Sequence, residues 1–262
     1  MGSTDNDISA IHMPRMFLSR FPPFNADAIS VKYIKTVSCY KYRAIKTGVK
    51  KMEPYIRSEQ YNFIKSQTQI LINGHATAND KDVINTLKTV AKERVLSLFG
   101  DLSEEQKQLL DPVDTIKDPA QAEAFLLQVK PFVIPFKEVS EKTIKKLFPK
   151  AKKLRAPLLE NIDLREISYL GWDDGGSGKK FIIAPHHNKL TGLHGTIKPA
   201  NKKGICAICS RFEEVGMFMS ETKGTVQGTF IKKGNYICLD SMKCNQNITT
   251  LDKMTDLIER LK

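Results

Sequence analysis

The hydrophobic rhythm of the chain changes past its middle. From Met52 to about Pro157 apolar residues recur every three or four positions, the period of an amphipathic helix. Tyr61, Ile64, Thr68 and Leu71 share one face of a helix that Ser58 is placed to cap, and "NGHATAND" (73–80) reads as the polar break after it. Val83, Leu87, Val90, Ala91, Val95 and Leu98 form a longer stripe, ended by Gly100. "SEEQ", Ser103 to Gln106, is a capping-box pattern. Asp118-Pro119 is an N-cap followed by proline at the first helical position, with Ala122, Phe125, Leu126 and Val129 facing inward. Pro131 and Pro135 prevent "KPFVIPF" (130–136) from being helical throughout. A last helix starts near Ser140 and runs to "FPKAKKLRAP". These signals predict an antiparallel bundle of four or five helices.

After Pro157 the period falls to two. "REISYLGW" (165–172), "KKFIIAP" (179–185) and "LTGLHGTI" (190–197) read as strands, with "DDGGSG" a hairpin loop and "HHNK" a turn. "EVGMFMSE" (214–221) and "TFIKKGNYIC" (229–238) suggest a further hairpin. "NQNITTLDKMTDLIERL" (245–261) reads as a final helix, with Thr249 as N-cap and Leu251, Met254, Ile258 and Leu261 as its inner stripe. The fold class expected is α+β: a helical bundle over 52–157, then an α/β domain over 158–262.

Residues 1–51 fit neither pattern. "MGSTDNDISAIHM" is small and polar and reads as an appended leader. Pro14 to Lys51 has no sustained period, and "GVKKM" (48–52) can be encoded by a stretch resembling a bacterial ribosome-binding site ahead of a start codon. The native protein is therefore expected to start at Met52, with 1–51 a leader, non-native or disordered extension. A genuine basic arm is the alternative.

Charge adds less than its total suggests. The formal net charge is +12, but residues 1–51 carry nine Lys/Arg against three Asp, half of that excess. The remainder is only moderately basic. Lys145, Lys146, Lys150, Lys152, Lys153 and Arg155 form a basic run, read as a solvated helix face entering a linker or as a contact to an acidic partner or ribosomal RNA. No aromatics interleave it, so base stacking is not suggested. No apolar run approaches the ~20 residues of a membrane span, and a soluble, cytoplasmic protein is expected.

The chemistry concentrates in cysteine. Cys39 lies in the segment set aside; Cys206, Cys209, Cys238 and Cys244 make C-x2-C, a 28-residue gap, then C-x5-C. A redox dithiol needs its first cysteine at a helix N-terminus, and here a strand-like segment follows instead. Four thiolates complete a tetrahedral Zn(II) with no open position, hence a structural ion, one per chain. An iron–sulfur cluster is the alternative, disfavoured by the absence of a ferredoxin-like run. Knuckle, hairpin, ligand pair, helix is the order of a treble clef, although C-x5-C is wider than the usual second pair. His186-His187 at a turn and His194 on a strand have no nucleophile or carboxylate at a recognisable spacing. "GGSG" lacks the lysine and helix of a phosphate loop. No enzyme signature results.

From Met52 onward the chain resembles the elongation-factor-G-binding proteins of the FusB/FusC type, which confer fusidic acid resistance. The resemblance rests on "YNFIKSQ", "KPFVIPF", "SYLGW" and, above all, "GICAIC", "FIKKGNYIC", "DSMKCN" and the final helix, in order and spacing. It implies a helical N-terminal domain, a four-cysteine treble-clef zinc finger, and a cytoplasmic, monomeric protein without small-molecule substrate. Its implied function is to bind elongation factor G and free it from ribosomes stalled by the drug, touching the ribosome only transiently. The family's partner face, carried over by position, falls on Ile205, Lys233, Tyr236 and Leu257. Ile205 and Leu257 stand where characterised resistance proteins have aromatics. A zinc-dependent nucleic-acid-binding module acting on ribosomal RNA is the alternative.

Overall fold

The computed structural model describes residues 52–151, 154, 157 and 159–261. The leader expected over 1–51, Cys39 with it, and Lys152, Lys153 and Arg155 of the basic run lie outside these residues. Helix α1 spans Ser58–Thr77. Its N-cap is Arg57, not Ser58; the Arg57 amide donates to Gln60 Oε1 at 2.9 Å. Ser58 instead turns inward, with its hydroxyl 2.7 Å from that of Ser168. The helix continues through "NGHAT", where the sequence suggested a break. Gly74 explains the persistence: a Cβ there would lie 2.5 Å from Leu87 Cδ1, so this glycine admits the neighbouring helix rather than ending its own.

That neighbour, α2, spans Lys81–Leu96 and is capped by the Asp80 side chain. Helix α3 (Glu104–Leu110) opens with the Ser103/Gln106 capping box, and α4 (Pro119–Val129) with the Asp118 cap and N-terminal proline read from the sequence. "KPFVIPF" becomes a 3-10 turn over Lys130–Phe132 followed by extended chain, and Val133 bridges Ile56 in parallel. Ile56, Ile64, Leu71, Ala91, Val95, Leu110, Val113, Phe125 and Val129 form the buried interior of this half. Each large side chain there contributes roughly 1.5–3 kcal/mol by leaving water.

Helix α5 (Glu141–Leu147), capped by Ser140, belongs to a different core. The sequence grouped it with the bundle. Its Ile144, and Phe148 just beyond, pack with Ile167, Leu170, Phe181 and Ile183 of the sheet half. Phe148 meets Phe181 edge-on at 5.1 Å and Trp172 at 6.0 Å. The physical reason is the preceding segment. Pro131 sits in the 3-10 turn, Pro135 lies in the extended stretch after it, and Phe136 N donates to Leu164 O at 2.7 Å, drawing the chain away from the bundle before α5 starts.

The sheet is an antiparallel meander in chain order: β1 (Leu170–Asp174), β2 (Lys179–His186), β3 (Lys189–Ile205), β4 (Phe212–Lys223) and β5 (Phe230–Cys238). Strand β2 is buried on both faces. Phe181 and Ile183 join the cluster with α5, while Ile182 and Ala184 face the C-terminal helices. Strand β3 runs eight residues beyond the "LTGLHGTI" read from sequence, through a register shift between Pro199 and Lys203. Such irregularities accommodate a proline that cannot donate to the ladder.

The C-terminal helix is two helices. Helix α6 (Ser241–Asn247) contains Cys244, and α7 (Asp252–Leu261) follows a break over residues 248–251. The hydroxyl that accepts from Asp252 N belongs to Thr250, at 3.3 Å, rather than to the expected Thr249. Met254, Ile258 and Leu261 are buried as the stripe required, and Leu257 with them. The two halves meet through Asn62 of α1, whose amide donates to the carbonyls of Asn245 (2.7 Å) and Ile248 (2.9 Å) at the end of α6.

Candidate metal centre and surrounding surface

The knuckle carrying the first two cysteines follows β3. Ser210 N donates to Cys206 O at 2.9 Å and Cys206 N to Arg211 O at 3.0 Å, closing a tight loop in which Ser210 takes φ 57°. This left-handed conformation costs a non-glycine residue about 1 kcal/mol. Cys238 ends β5. Cys244 sits in α6, whose N-terminus is fixed by Asp240: its carboxylate accepts from Met242 N (2.8 Å) and Lys243 N (3.1 Å). The wide C-x5-C thus spans the end of a strand and the first turn of a capped helix.

All four sulfurs converge. Cys206 Sγ lies 3.8 Å from Cys244 Sγ, and Cys209 Sγ lies 3.7 Å from Cys238 Sγ, with the four ligand atoms within 4.8 Å of one another. A tetrahedron with Zn–S bonds of about 2.3 Å has edges of about 3.8 Å, which the Cys206–Cys244 and Cys209–Cys238 separations match. All four cysteines are buried. The Cys206 sulfur also accepts from Ile208 N and Cys238 N, each at 3.3 Å, which stabilises thiolate charge. Hydrogen bonds from Cys209, Cys238 and Cys244 hold the Cys206 thiol far below its ordinary range, and the same contact with Cys206 pushes Cys244 up. A closed, buried four-sulfur cage can hold a metal ion and leaves no position for substrate.

Three supporting residues were not singled out from the sequence. Asn245, next to Cys244, accepts from Ser168 N (2.8 Å) and Tyr169 N (3.1 Å) and donates to Tyr169 O (3.0 Å) and Ser241 O (2.9 Å). Tyr169 is fully buried beside the cage. Burial, then the Cys244 sulfur, raises its hydroxyl well above the ordinary range. Lys180 is buried on β2, and its ammonium donates to Leu239 O at 2.8 Å and to both Asp173 oxygens at 3.1 Å. Leu239 directly follows the ligand Cys238, so Lys180 tethers that end of the cage to the sheet. An asparagine inside a helix was the available signal for Asn245, because its side chain competes with helical backbone unless it has partners elsewhere.

The four residues expected at the partner face separate into two kinds. Ile205 is 63% exposed and Tyr236 41%, both large apolar surfaces beside the knuckle. The knuckle is tied to Tyr236 through Ala207 N, which donates to Tyr236 O at 2.8 Å. Phe212, opposite Ile205 in the β3–β4 register and 64% exposed, extends the same region and was missed. Lys233 is half-buried and lines a cleft of about 340 Å³ with Gly234, Asn235, Leu257, Arg260 and Leu261. Leu257 is fully buried. Its place is the core beneath that cleft, among Met254 and Ile258, rather than on an open surface.

His194 packs edge-on against Phe148 at 5.9 Å, and burial lowers its pKa below the ordinary imidazole value. His186 and His187 stand together at the β2–β3 turn. Among the described residues no helix is long and apolar enough to cross a membrane.

A helical half joined to a sheet that carries a buried treble-clef cysteine cage defines a two-part zinc-finger protein. Residues 55–137 match the family described as "Elongation factor G-binding protein, N-terminal", and residues 146–260 match "FBP C-terminal treble-clef zinc-finger". A solved structure titled "Structure of the fusidic acid resistance protein FusC" superposes with a TM-score of 0.73 at 31% identity, covering 81% of this chain and 100% of that one. No curated protein sequence gives a significant match. The chain belongs to the elongation factor G-binding protein family, in which the fusidic acid resistance protein FusC is a structural relative.

Proposed function

We propose that the protein binds elongation factor G and promotes its release from the fusidic-acid-stalled ribosome, protecting the drug's target without chemistry. The observation that carries this reading is the likeness to FusC over the whole of that chain, zinc-finger half included. The exposed Ile205, Phe212 and Tyr236 beside a closed cage support it, because apolar surface of this kind suits a protein partner. One structural Zn(II) per chain would hold the knuckle, β5 and α6 in register. The protein acts as a cytoplasmic monomer that touches the ribosome only transiently.

Release through binding alone requires unequal affinity for two states of the partner. The protein must favour a conformation of elongation factor G less compatible with the ribosome–drug complex. Tyr236 acts as the amphipathic anchor and Ile205 and Phe212 as its apolar surround. Lys233 meets acidic groups at the rim. Leu257 contributes from below, by supporting the cleft floor.

Calorimetry of the full chain with elongation factor G, paired with ribosome-release assays in fusidic acid, tests the reading. Saturable binding is expected, weakened by roughly 1–3 kcal/mol in folded Tyr236→Ala and by less, with more salt sensitivity, in Lys233→Ala. Equal binding by wild type and folded Tyr236→Ala would displace the proposed face. No binding by wild type, with RNase-sensitive capture of ribosomal RNA instead, would replace the protein partner by a nucleic acid.

A further inference from the structure

A second set of metal-ligating side chains lies apart from the cysteines. His186 ends β2 and pairs with Lys189 across the two-residue turn His187-Asn188. His187 (φ 46°) and Asn188 (φ 61°) both take left-handed conformations, as a turn matched to the strand twist requires. Consecutive side chains on a straight strand point to opposite faces. The turn removes that alternation, and the two imidazole rings lie with centroids 3.9 Å apart. Glu259 reaches them from α7: its Oε1 is 3.7 Å from His186 Nε2 and 3.9 Å from His187 Nε2. One ligand atom from each of the three residues lies within 4.8 Å of the other two.

The His186 ring supplies an independent sign of a missing ligand. Its side chain is only 10% exposed, and its Nε2 is buried without a hydrogen-bond partner, because the carboxylate is too far to accept. A buried polar atom left without a partner is destabilising unless something else meets it. A metal ion between Nε2 and Oε1 would. Bonds of about 2.0–2.1 Å place the ligand atoms of a tetrahedral ion about 3.4 Å apart, so the observed 3.7 and 3.9 Å close with side-chain shifts of a few tenths of an ångström. Glu259 and His187 are largely exposed and free to make them.

We propose that His186, His187 and Glu259 form a second divalent-metal site, with water completing the coordination. Two imidazoles and one carboxylate are a borderline donor set that selects Zn(II), Ni(II) or Cu(II) over Mg(II) or Ca(II). The ion clips α7 to the β2–β3 turn. That helix supplies Leu257, Arg260 and Leu261 to the cleft shared with Lys233, so occupancy stiffens one wall of the proposed partner face. Unlike the four-sulfur cage, this site is open to solvent on one side and exchanges its ion readily.

Zinc titration of the untagged full chain tests the site. The tightly held zinc is counted first in dialysed protein, so a failed cysteine cage shows there and is separate from failure at the turn. Calorimetry with added Zn(II) should then reveal one further, weaker equivalent, absent with Mg(II), together with a rise in melting temperature. Outer-sphere partners alone are worth 10–100-fold in metal affinity; loss of a direct ligand in Glu259→Gln should weaken this step by about tenfold or more. His187→Asn, which keeps a residue tolerant of positive φ, should remove it. Uptake of no further ion by wild type, or unchanged uptake by both folded variants, overturns the proposal.

Discussion

Asn245 shows how much one side chain can organise. Its amide makes four hydrogen bonds to the segment 168–169 and to Ser241, and its backbone carbonyl receives Asn62 from the helical half. It is 1% exposed. In Asn245→Ala the amides of Ser168 and Tyr169 would lose their acceptor in a place water does not reach. Unpaired buried groups cost about 1–3 kcal/mol each, so a loss of roughly 3 kcal/mol is expected on chemical denaturation. Zinc content measured on the same variant should stay at the wild-type level where folded protein persists, since no ligand is touched. Leu257 illustrates the opposite outcome at this scale. The family resemblance put it on a partner face; in the fold it is buried in the C-terminal core and also lines the cleft with Lys233.

At the scale of elements, the cysteine cage joins three pieces that are individually weak. The knuckle is a short loop with one residue at positive φ, α6 has only seven residues, and β5 is an edge strand with exposed Phe230 and Ile231. None would hold its place by local preference, since helices this short are marginal alone. Structural zinc supplies on the order of 10–16 kcal/mol in small fingers, far above what these pieces could offer together. Cys206→Ser should therefore release zinc and unfold the knuckle, β5 and α6, while the bundle of α1 to α4, with a core of its own, keeps its helical signal. Metal analysis and circular dichroism read the two effects separately. Full retention of zinc by the variant would mean that the cage is not the zinc site.

For the whole molecule, residues 1–51 read as a leader because they carry no sustained hydrophobic period. On that reading the protein beginning at Met52 should match the full chain in melting temperature and in affinity for elongation factor G. A lower melting temperature or a lost partner would make 1–51 a working basic arm. Among the described residues the halves are coupled by polar contacts of Asn62 with α6, Ser58 with Ser168, and Lys130 with Asp163 at 3.0 Å and with Glu166.

Local information in the chain was enough for much of this. Hydrophobic period separated helices from strands, Ser103 and Asp118 announced their caps, and the spacing of Cys206, Cys209, Cys238 and Cys244 named a metal cage, because each signal acts over a few residues of backbone geometry. What the sequence could not decide depends on which distant surfaces meet. Helix α5 has an ordinary amphipathic pattern, and only the path of the proline segment assigns it to the sheet. The break before α7 needs Thr250 and the packing of Ile248. Glu259 lies far along the chain from His186-His187, and no spacing rule links them. Their meeting is set by the docking of α7 on β2, a long-range contact driven by non-directional apolar burial.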